Sequence, residues 1–353
     1  MKRRLALAAC LCLLGCADDP EEGAPASGLA FADTDADADA DAGREPARRE
    51  FVLDYRATVP VPEGTSTLDL WVPVPEDDES QEVELASLRA PGEVELRDEP
   101  EFGSRVMHLR LDSPREPVEI GYRVRVLRRE ALRRPGAAAA STGGLTKHDP
   151  EIARWLEPDV RVPLDGRIRS LSAQVTEGAA TDLDKARAIY DYVVETMEYS
   201  KEGIGWGEGD IYWACDAKRG NCTDFHALFT GLARAAGIPA KFAIGFPIPA
   251  ERGEGEIAGY HCWSEFWLDG HGWVPVDASE ATKNPDKREY FFGAHDENRV
   301  ELTEGRDLVL SPAQQGEPLN YFVYPYAEAD GRPVEGIERT FRYRDLDGAH
   351  EAG

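Results

Sequence analysis

The chain has 353 residues, of which 42% are hydrophobic and 30% are charged, which suits two globular domains rather than a wholly disordered protein. Acidic residues outnumber basic ones by 67 to 40, and the net charge of −27 repels nucleic-acid phosphates and anionic lipid headgroups. Nucleic acid is therefore not an expected partner, and the N-terminus carries the only long apolar run.

An export signal is predicted over residues 1–16. Basic residues Lys2–Arg4 precede an apolar stretch that is too short for a permanent membrane span. The stretch ends in Leu13-Leu14-Gly15-Cys16, which resembles the lipobox of bacterial lipoproteins, where a diacylglyceryl group is added to the cysteine. The resemblance implies a lipid anchor at Cys16 in the bacterial cell envelope, facing the periplasm or the exterior. An ordinary secretory signal with a chance cysteine is the alternative.

An acidic linker is predicted over residues 17–49. Aspartate alternates mainly with alanine from Asp33 to Ala42, and this pattern leaves no apolar face to bury. A solvated, disordered spacer is therefore expected. Calcium binding by these aspartates is a less favoured alternative, since the segment lacks the spacing of an EF-hand loop.

A β-sandwich domain is predicted over residues 50–130. Apolar and polar residues alternate with a period of two in five or more short runs that prolines interrupt. Phe51–Val59 and Val118–Val126 are examples. The region holds no cluster of nucleophile and base, which favours a supporting or binding role. Residues 131–148 are then predicted to be a linker.

An α+β domain is predicted over residues 149–348, because helical periodicity is followed by alternating strands. Helices are expected at Ile168–Val175, after a cap at Thr181, and from Cys222 to the stop signal at Gly237. The predicted strands are residues 241–246, 261–268 and 273–277, the last two joined by a turn at residues 269–272.

Cys222 is the candidate nucleophile. It falls in the first turn of a predicted helix, after the N-cap residue Asn221 and the permissive Gly220. The unpaired N–H groups and the positive dipole end of a helix favour thiolate over thiol, and they can also hold an oxyanion. This position predicts a thiol with a pKa below its usual value of about 8.5.

His261 and Asp277 are the candidate base and orienting carboxylate. They lie at the two ends of a predicted hairpin centred on residue 269, and their odd numbers place both side chains on one face. A shift of one or two residues at the turn would require a β-bulge. With Cys222 they supply a nucleophile, a base and an orienting group. The alternative is a buried cysteine, a strand histidine and a turn aspartate with no shared chemistry.

Three segments resemble the motifs of the bacterial transglutaminase-like superfamily: Gly220–His226, His261–Glu265 and Gly272–Asp277. The resemblance covers about residues 150–345 and implies a papain-like α+β core in which Cys222, His261 and Asp277 form a catalytic triad. The region from 50 to 130 also resembles the β-domain that often precedes this core.

The resemblance implies a cysteine enzyme that acts on peptide or protein amide bonds through a thioester. Water as the acceptor gives hydrolysis and an amine gives acyl transfer, with hydrolysis slightly favoured; no cofactor is expected. The alternative function is a non-catalytic, surface-anchored binding or assembly module that retains the fold.

Several residues near the motifs carry further expectations. Family members take a second oxyanion donor from an upstream side chain, and Trp213 and Trp206 are the candidates. His226 is expected to be structural, because its place on the same helix as Cys222 restricts its reach.

Strand alternation places Cys262 on the face opposite His261. There it either pairs with Cys215 in a disulfide or packs as a small core residue. A zinc site built from these cysteines, Cys222 and His226 is disfavoured, because it lacks paired ligand spacing.

Overall fold

The computed structural model of the protein describes residues 44–135 and 144–346. The predicted lipidation residue Cys16 and residues 17–43 of the predicted linker lie outside the described residues. Within the described ranges, no helix has both the length and the apolar character needed to cross a membrane.

Strands make up the regular structure before residue 136. In chain order they are β1 (Arg48–Val59), β2 (Thr67–Pro73), β3 (Gln81–Arg89), β4 (Glu95–Asp98), β5 (Arg105–Asp112), β6 (Val118–Arg129) and β7 (Ala131–Leu132).

Helices precede further strands in the rest of the chain, and the predicted α+β class is confirmed. The helices are α1 (Pro150–Ala153), α2 (Gly166–Val175), α3 (Asp182–Thr196), α4 (Ile211–Ala217), α5 (Cys222–Ala235) and α6 (Ala278–Lys283), with 3₁₀ turns at Arg154–Leu156 and Pro285–Lys287. The strands are β8 (Glu198–Tyr199), β9 (Arg219–Gly220), β10 (Ala240–Pro247), β11 (Glu254–Glu256), β12 (His261–Leu268), β13 (Gly272–Val276), β14 (Ala294–His295), β15 (Arg299–Glu304), β16 (Tyr326–Ala329), β17 (Arg332–Pro333) and β18 (Glu338–Asp345).

Two five-stranded antiparallel sheets pack as a β-sandwich. Their strand orders are β11-β18-β1-β6-β3 and β17-β16-β2-β5-β4. Alternate residues of β1, such as Phe51, Leu53 and Tyr55, are fully buried and share one core with Leu70 and Leu109 of the other sheet. The period-two pattern of the sequence thus turns one face of each of these strands towards the core.

Strands from the C-terminus complete this sandwich. β18 pairs antiparallel with β1, from Phe51 opposite Asp345 to Thr58 opposite Glu338, and β16 pairs with β2. A domain boundary at residue 130 therefore places β1 and β18, which are neighbours in one sheet, on opposite sides of it. Because the pairing partners are far apart in sequence, no local pattern reports the pairing.

Arg49 fastens the beginning of β1 to the C-terminal strand. Its guanidinium is buried and donates to both carboxylate oxygens of Asp345, at 2.8 and 3.0 Å. It also donates to the Pro249 carbonyl at 2.6 Å and to Asn298 at 2.8 Å. A bidentate arginine–carboxylate pair is geometrically specific. Residues 48 and 49, which lie within the predicted linker, are thus part of the sheet.

A four-stranded antiparallel sheet, ordered β13-β12-β10-β15, carries the helices. Helix α5 packs on β12, and α2, α3 and α4 pack around α5. Every residue from Cys222 to Arg234 is buried. A helix that is enclosed in this way has little freedom to move, so the position of its N-terminus is fixed relative to β12.

The core of the sandwich continues into this four-stranded sheet. The Phe246 ring of β10 lies 4.4 Å from the ring of Phe341 and 6.1 Å from that of Tyr55, measured between centroids. Cys222 and Cys262 belong to the same cluster of buried residues. The predicted nucleophile therefore lies where the two regions meet.

Candidate active site

Cys222 occupies the first position of α5. The Asn221 side-chain oxygen accepts a hydrogen bond from the Thr223 amide at 2.9 Å, and the Asp224 carboxylate accepts from the Asn221 amide at 3.0 Å. These reciprocal bonds form the capping box that begins the helix. Gly220 is required just before it, because a Cβ there would lie 2.3 Å from an Asp224 carboxylate oxygen. The prediction that Cys222 begins a capped helix is confirmed.

The structure brings His261 and Asp277 together. His261 begins β12, and its Nε2 donates to Asp277 Oδ2 at 2.7 Å. The hairpin is paired continuously from Ser264 opposite Val276 to Leu268 opposite Gly272, so it is centred on residue 270 rather than 269. His261 and Asp277 still lie on one face of the hairpin, and no β-bulge is needed. Moving the centre of the hairpin by one residue shifts every cross-strand pairing by two residues, which keeps each side chain on its face.

Asp277 follows β13 and caps α6. Its Oδ1 accepts from the Glu280 amide and the Ser279 hydroxyl, both at 3.0 Å. Its Oδ2 accepts from His261 and, at 3.2 Å, from Arg299 Nη1. Four donors use the acceptor capacity of a fully buried carboxylate and fix its orientation.

The second nitrogen of His261 is left for Cys222, whose thiol is close enough to the imidazole to shift its pKa. Burial raises the pKa of the Cys222 thiol, but hydrogen bonds with Cys262 and His261 and the charge of His261 bring it well below the usual value. Burial lowers the pKa of His261, but the charge and hydrogen bond of Asp277 and those of Cys222 raise it to about 10. At neutral pH these shifts favour a thiolate beside an imidazolium.

Comparisons with known proteins point to the same part of the chain. Residues 169–278, which include Cys222, His261 and Asp277, match the Transglutaminase-like superfamily. The chain contains a transglutaminase-like domain.

Two relatives and one solved structure are also similar to the chain. An uncharacterised protein of Haemophilus influenzae is 27% identical over 332 residues, which are 83% of this chain and 89% of that protein. The uncharacterised protein YebA of Bacillus subtilis is 26% identical over 136 residues, 35% of this chain and 18% of YebA. A structure of a candidate cysteine protease from Cytophaga hutchinsonii has a TM-score of 0.56 at 18% identity, covering 87% of this chain and 93% of that one. This likeness shows that the fold is shared.

His226 lies beneath the site of the transglutaminase-like domain. Its Nδ1 donates to the Cys222 carbonyl at 2.8 Å, so the proton is on that nitrogen because a carbonyl can only accept. Its buried Nε2 has no hydrogen-bond partner and lies 3.7 Å from Asp277 Oδ1. Burial lowers the pKa of His226 to about 4, which keeps the ring neutral at pH 7. These contacts support the expectation that His226 is structural rather than the base.

Cys262 lies near the nucleophile, although strand alternation predicts that it is on the face opposite His261. Burial and Cys222 raise its pKa well above the usual value, and its Sγ lies 3.7 Å from His226 Nδ1. Because the first turn of α5 crosses this end of β12, Cys222 contacts two consecutive strand residues. Cys215 and Cys262 form no disulfide in the structure, so the disulfide alternative is not supported.

Trp213 hydrogen-bonds elsewhere in this conformation. Its indole N–H donates to the Ile204 carbonyl at 3.0 Å, within the glycine-rich loop 203–209. Asp224 holds that loop against α5 by accepting from the amides of Gly207 and Gly209, at 2.7 and 3.1 Å. The assignment of Trp213 as an oxyanion donor stays a prediction, and it would require the bond to Ile204 to break.

Two residues of the site have no local sequence signal. Arg299 is 2% exposed, contacts Asp277 and lies with its guanidinium 5.0 Å from the centre of the Trp263 ring. Tyr260 precedes His261 and hydrogen-bonds to Asn221 and Thr223. Neither an arginine in a strand nor a tyrosine next to a motif histidine indicates a site residue in the sequence. Both are identified as site residues only when the fold brings distant segments together. Over residues 44–135 and 144–346, no group of three or more His, Cys, Asp and Glu side chains is arranged to hold a metal ion.

Proposed function

We propose that the protein is a cysteine enzyme that attacks peptide or protein amide bonds with Cys222 and forms a thioester. One observation carries the proposal: the buried His261–Asp277 pair, bonded at 2.7 Å, lies beside a cysteine at a helix N-terminus, and His261 lowers the pKa of its thiol. This combination supplies an activated nucleophile, an acid and base, and a group that orients the base.

In the first half of the proposed reaction, the Cys222 thiolate attacks the amide carbonyl carbon and the carbonyl π electrons move onto oxygen. The Cys222 amide N–H lies at the first position of α5, which is the positive end of the helix, and can stabilise this oxyanion. The His261 imidazolium then gives its proton to the amide nitrogen, so that the C–N bond breaks and an amine leaves. Asp277 remains ionised and stabilises the imidazolium.

In the second half, neutral His261 removes a proton from the acceptor as the acceptor attacks the thioester carbonyl. Water gives a carboxylic acid, and an amine gives a new amide; either product leaves and regenerates the thiolate and imidazolium. We favour hydrolysis of peptide or protein amides, with acyl transfer as the alternative outcome of the same site.

Cys222→Ala is expected to abolish product formation from casein while the fold is retained, because alanine removes the nucleophile and little volume. Mass spectrometry of casein incubated with the full chain distinguishes new termini or deamidated glutamine from attachment of an added pentylamine. Cys215→Ala, which removes a buried cysteine from α4, is the matched control. Equal product from wild type and Cys222→Ala would contradict the proposal. A large drop in the unfolding temperature of Cys222→Ala would instead assign Cys222 a packing role.

We also infer that the protein is lipid-anchored in the bacterial envelope through Cys16, on the basis of Leu13-Leu14-Gly15-Cys16 and the apolar stretch before it. Cys16→Ser is expected to move the protein from the membrane fraction to the soluble fraction, since a diacyl chain would supply most of the membrane affinity. Immunoblotting of the two fractions measures this change, with Cys12→Ser as the matched control. Continued sedimentation of Cys16→Ser with membranes would exclude lipidation as the anchor.

A further inference from the structure

Two basic side chains bind one oxygen of the Asp277 carboxylate. His261 Nε2 donates to Asp277 Oδ2 at 2.7 Å, and Arg299 Nη1 donates to the same oxygen at 3.2 Å. The other oxygen accepts from the Glu280 amide and the Ser279 hydroxyl, which are neutral donors. When His261 is protonated, the imidazolium and the guanidinium therefore share the charge of the carboxylate through a single atom.

The fold places Arg299 at the same end of the sheet as His261. In the sheet ordered β13-β12-β10-β15, β12 and β15 both run antiparallel to β10 and so run parallel to each other. His261 is the first residue of β12, and Arg299 is the first residue of β15. Because β10 lies between these strands, a side chain on β15 needs the length of an arginine or a lysine to reach the carboxylate.

The surroundings of Arg299 fix its orientation. The side chain is buried, and its guanidinium lies 5.0 Å from the ring centre of Trp263, two residues beyond His261 on β12. Its Nε has no hydrogen-bond partner among the described residues and lies 3.6 Å from Asp296 Oδ1. Asp296 thus balances part of the charge of Arg299 at a different nitrogen from the one that binds Asp277. A guanidinium that stacks on a ring and binds one carboxylate oxygen loses both contacts if it turns away.

We propose that Arg299 is a positioning residue of the site, which holds Asp277 Oδ2 towards His261 and weakens the attraction of this carboxylate for the imidazolium proton. The proposal rests on the proposed function, because it assigns a role in the same reaction. In the first half of that reaction His261 gives its proton to the leaving amine, and a buried aspartate without a second cation would retain this proton strongly. The charge of Arg299 on the same oxygen offsets part of this attraction, so that the proton transfers more readily.

The ionisation of His261 and Asp277 provides a way to measure this effect. Burial lowers the pKa of His261, but Asp277 and Cys222 raise it to about 10. Burial raises the pKa of Asp277, but the charges of His261 and Arg299 bring it well below its usual value. About half of the His261 side chains are therefore protonated at pH 10, where a change in the nearby charge alters this fraction most.

Other ionisable groups also face Asp277, His261 or Arg299. They are Cys222 and His226 of α5, Cys262 of β12, Tyr190 of α3, Tyr199 of β8, Glu280 and its partner Lys283 of α6, Tyr290, His295 of β14, and Asp296. Burial raises the pKa of Tyr190, Tyr199 and Cys262, which keeps all three neutral at pH 10. Because all these groups are present in every variant at position 299, a difference between such variants reports the charge at that position.

The test is the protonation of His261 at pH 10, the pH near its pKa, measured by NMR of the full chain with isotopically labelled histidine Cε1. The His261 signal is assigned by its loss in His261→Ala. Arg299→Gln removes the charge but keeps a side-chain amide that can donate to Asp277. The ratio of protonated to neutral His261 is expected to rise about tenfold, equivalent to a pKa higher by about one unit. Arg299→Lys keeps a positive charge and is expected to leave the ratio within about twofold of the wild-type value.

Turnover of casein at neutral pH is the second readout. Arg299→Gln is expected to be about three- to tenfold slower than the wild type, because an imidazolium that retains its proton more strongly is a weaker acid towards the leaving amine. Arg234→Gln is the matched control. Arg234 is a buried arginine that pairs with Asp159 at 2.8 Å near the C-terminal end of α5, so its loss should change neither readout per folded molecule.

Several results would overturn the proposal. An unchanged ratio in folded Arg299→Gln would show that Arg299 does not act on His261. Equal rises in Arg299→Gln and Arg299→Lys would assign the effect to lost packing against Trp263 rather than to charge. A higher ratio with unchanged turnover would show that the reaction does not depend on this charge.

Asp296→Asn tests the proposal if Arg299→Gln does not fold. The Asp296 side chain is partly exposed, and without its charge Arg299 acts more strongly on Asp277. The ratio of protonated to neutral His261 is therefore expected to fall about two- to threefold. In that case an unchanged or higher ratio in Asp296→Asn would overturn the proposal.

The failure of this inference and the failure of the proposed function give different results. If Cys222→Ala forms as much product from casein as the wild type, the proposed function fails whatever the protonation of His261. If Cys222→Ala forms no product but Arg299→Gln leaves the protonation of His261 unchanged, the proposed function stands and only the role of Arg299 is wrong.

Discussion

Replacement of His261 by alanine is expected to raise the midpoint of Cys222 alkylation from well below the usual range of a thiol to about pH 8.5 or above. In the wild-type protein, the charge and hydrogen bond of His261 oppose the effect of burial on the Cys222 thiol. Without the imidazolium, burial dominates and favours the neutral thiol. If the thiol pKa of the variant is about 8.5, its alkylation rate at pH 6 should be about 300-fold lower than the maximal rate it reaches at alkaline pH.

The measurement is the alkylation rate at Cys222 in the full chain between pH 4 and 10. His148→Ala is the matched control, because His148 is exposed and precedes α1. In the wild type, the pair of Cys222 thiolate and His261 imidazolium should exist only within a window of pH. Below the depressed pKa of Cys222 the thiolate is protonated, and above about pH 10 His261 loses its proton. An ordinary thiol profile in the wild type, or the same profile in His261→Ala, would favour the non-catalytic binding module.

The residues that position the nucleophile could be predicted, because they act through short-range interactions. Thr181 and Asn221 cap α3 and α5 with the side-chain bonds that their positions indicated. Gly220 leaves space for the Asp224 carboxylate. Each of these features depends on residues within a few positions of one another, and the chain can form only a few structures at that scale.

Long-range contacts explain what the sequence could not show. β18 pairs with β1 across nearly the whole described chain, and no pattern within either strand specifies its partner. The contact between Cys262 and Cys222 depends on how α5 crosses β12, which strand alternation does not describe. Arg299 becomes part of the site only after β15 joins the sheet beside β10.

Asp277→Ala is expected to reduce both activity and stability, whereas Asp277→Asn should separate the two effects. Alanine removes the cap of α6, worth about 1 kcal/mol, and takes a charged partner from the buried Arg299. Breaking a buried ion pair by removing one partner typically costs about 3–5 kcal/mol. Asp296 lies 3.6 Å from Arg299 and offsets part of this loss, so a decrease of about 3 kcal/mol in the free energy of unfolding is expected.

Asparagine can keep the bonds to the Glu280 amide and the Ser279 hydroxyl through its side-chain oxygen. Its NH₂ group then replaces the oxygen that accepts from both His261 and Arg299. A neutral His261 would have to accept from this NH₂ through Nε2 and carry its proton on Nδ1, the nitrogen left for Cys222. That tautomer cannot take the proton of the thiol, so Asp277→Asn should retain more stability than Asp277→Ala and still lose most activity.

Urea unfolding and casein turnover, measured on the same preparations, test this separation. Asp277→Ala should retain about ten- to a hundredfold more activity than His261→Ala, because the imidazole remains and only its orientation and charge stabilisation are lost. Asp286→Asn is the matched control, because it changes an exposed carboxylate in the 3₁₀ turn that follows α6. If Asp277→Asn were as active as the wild type, Asp277 would serve only to cap α6 and pair with Arg299. If His261→Ala and Asp277→Ala lost stability equally, the destabilisation would come from the broken His261–Asp277 bond rather than from the isolated arginine.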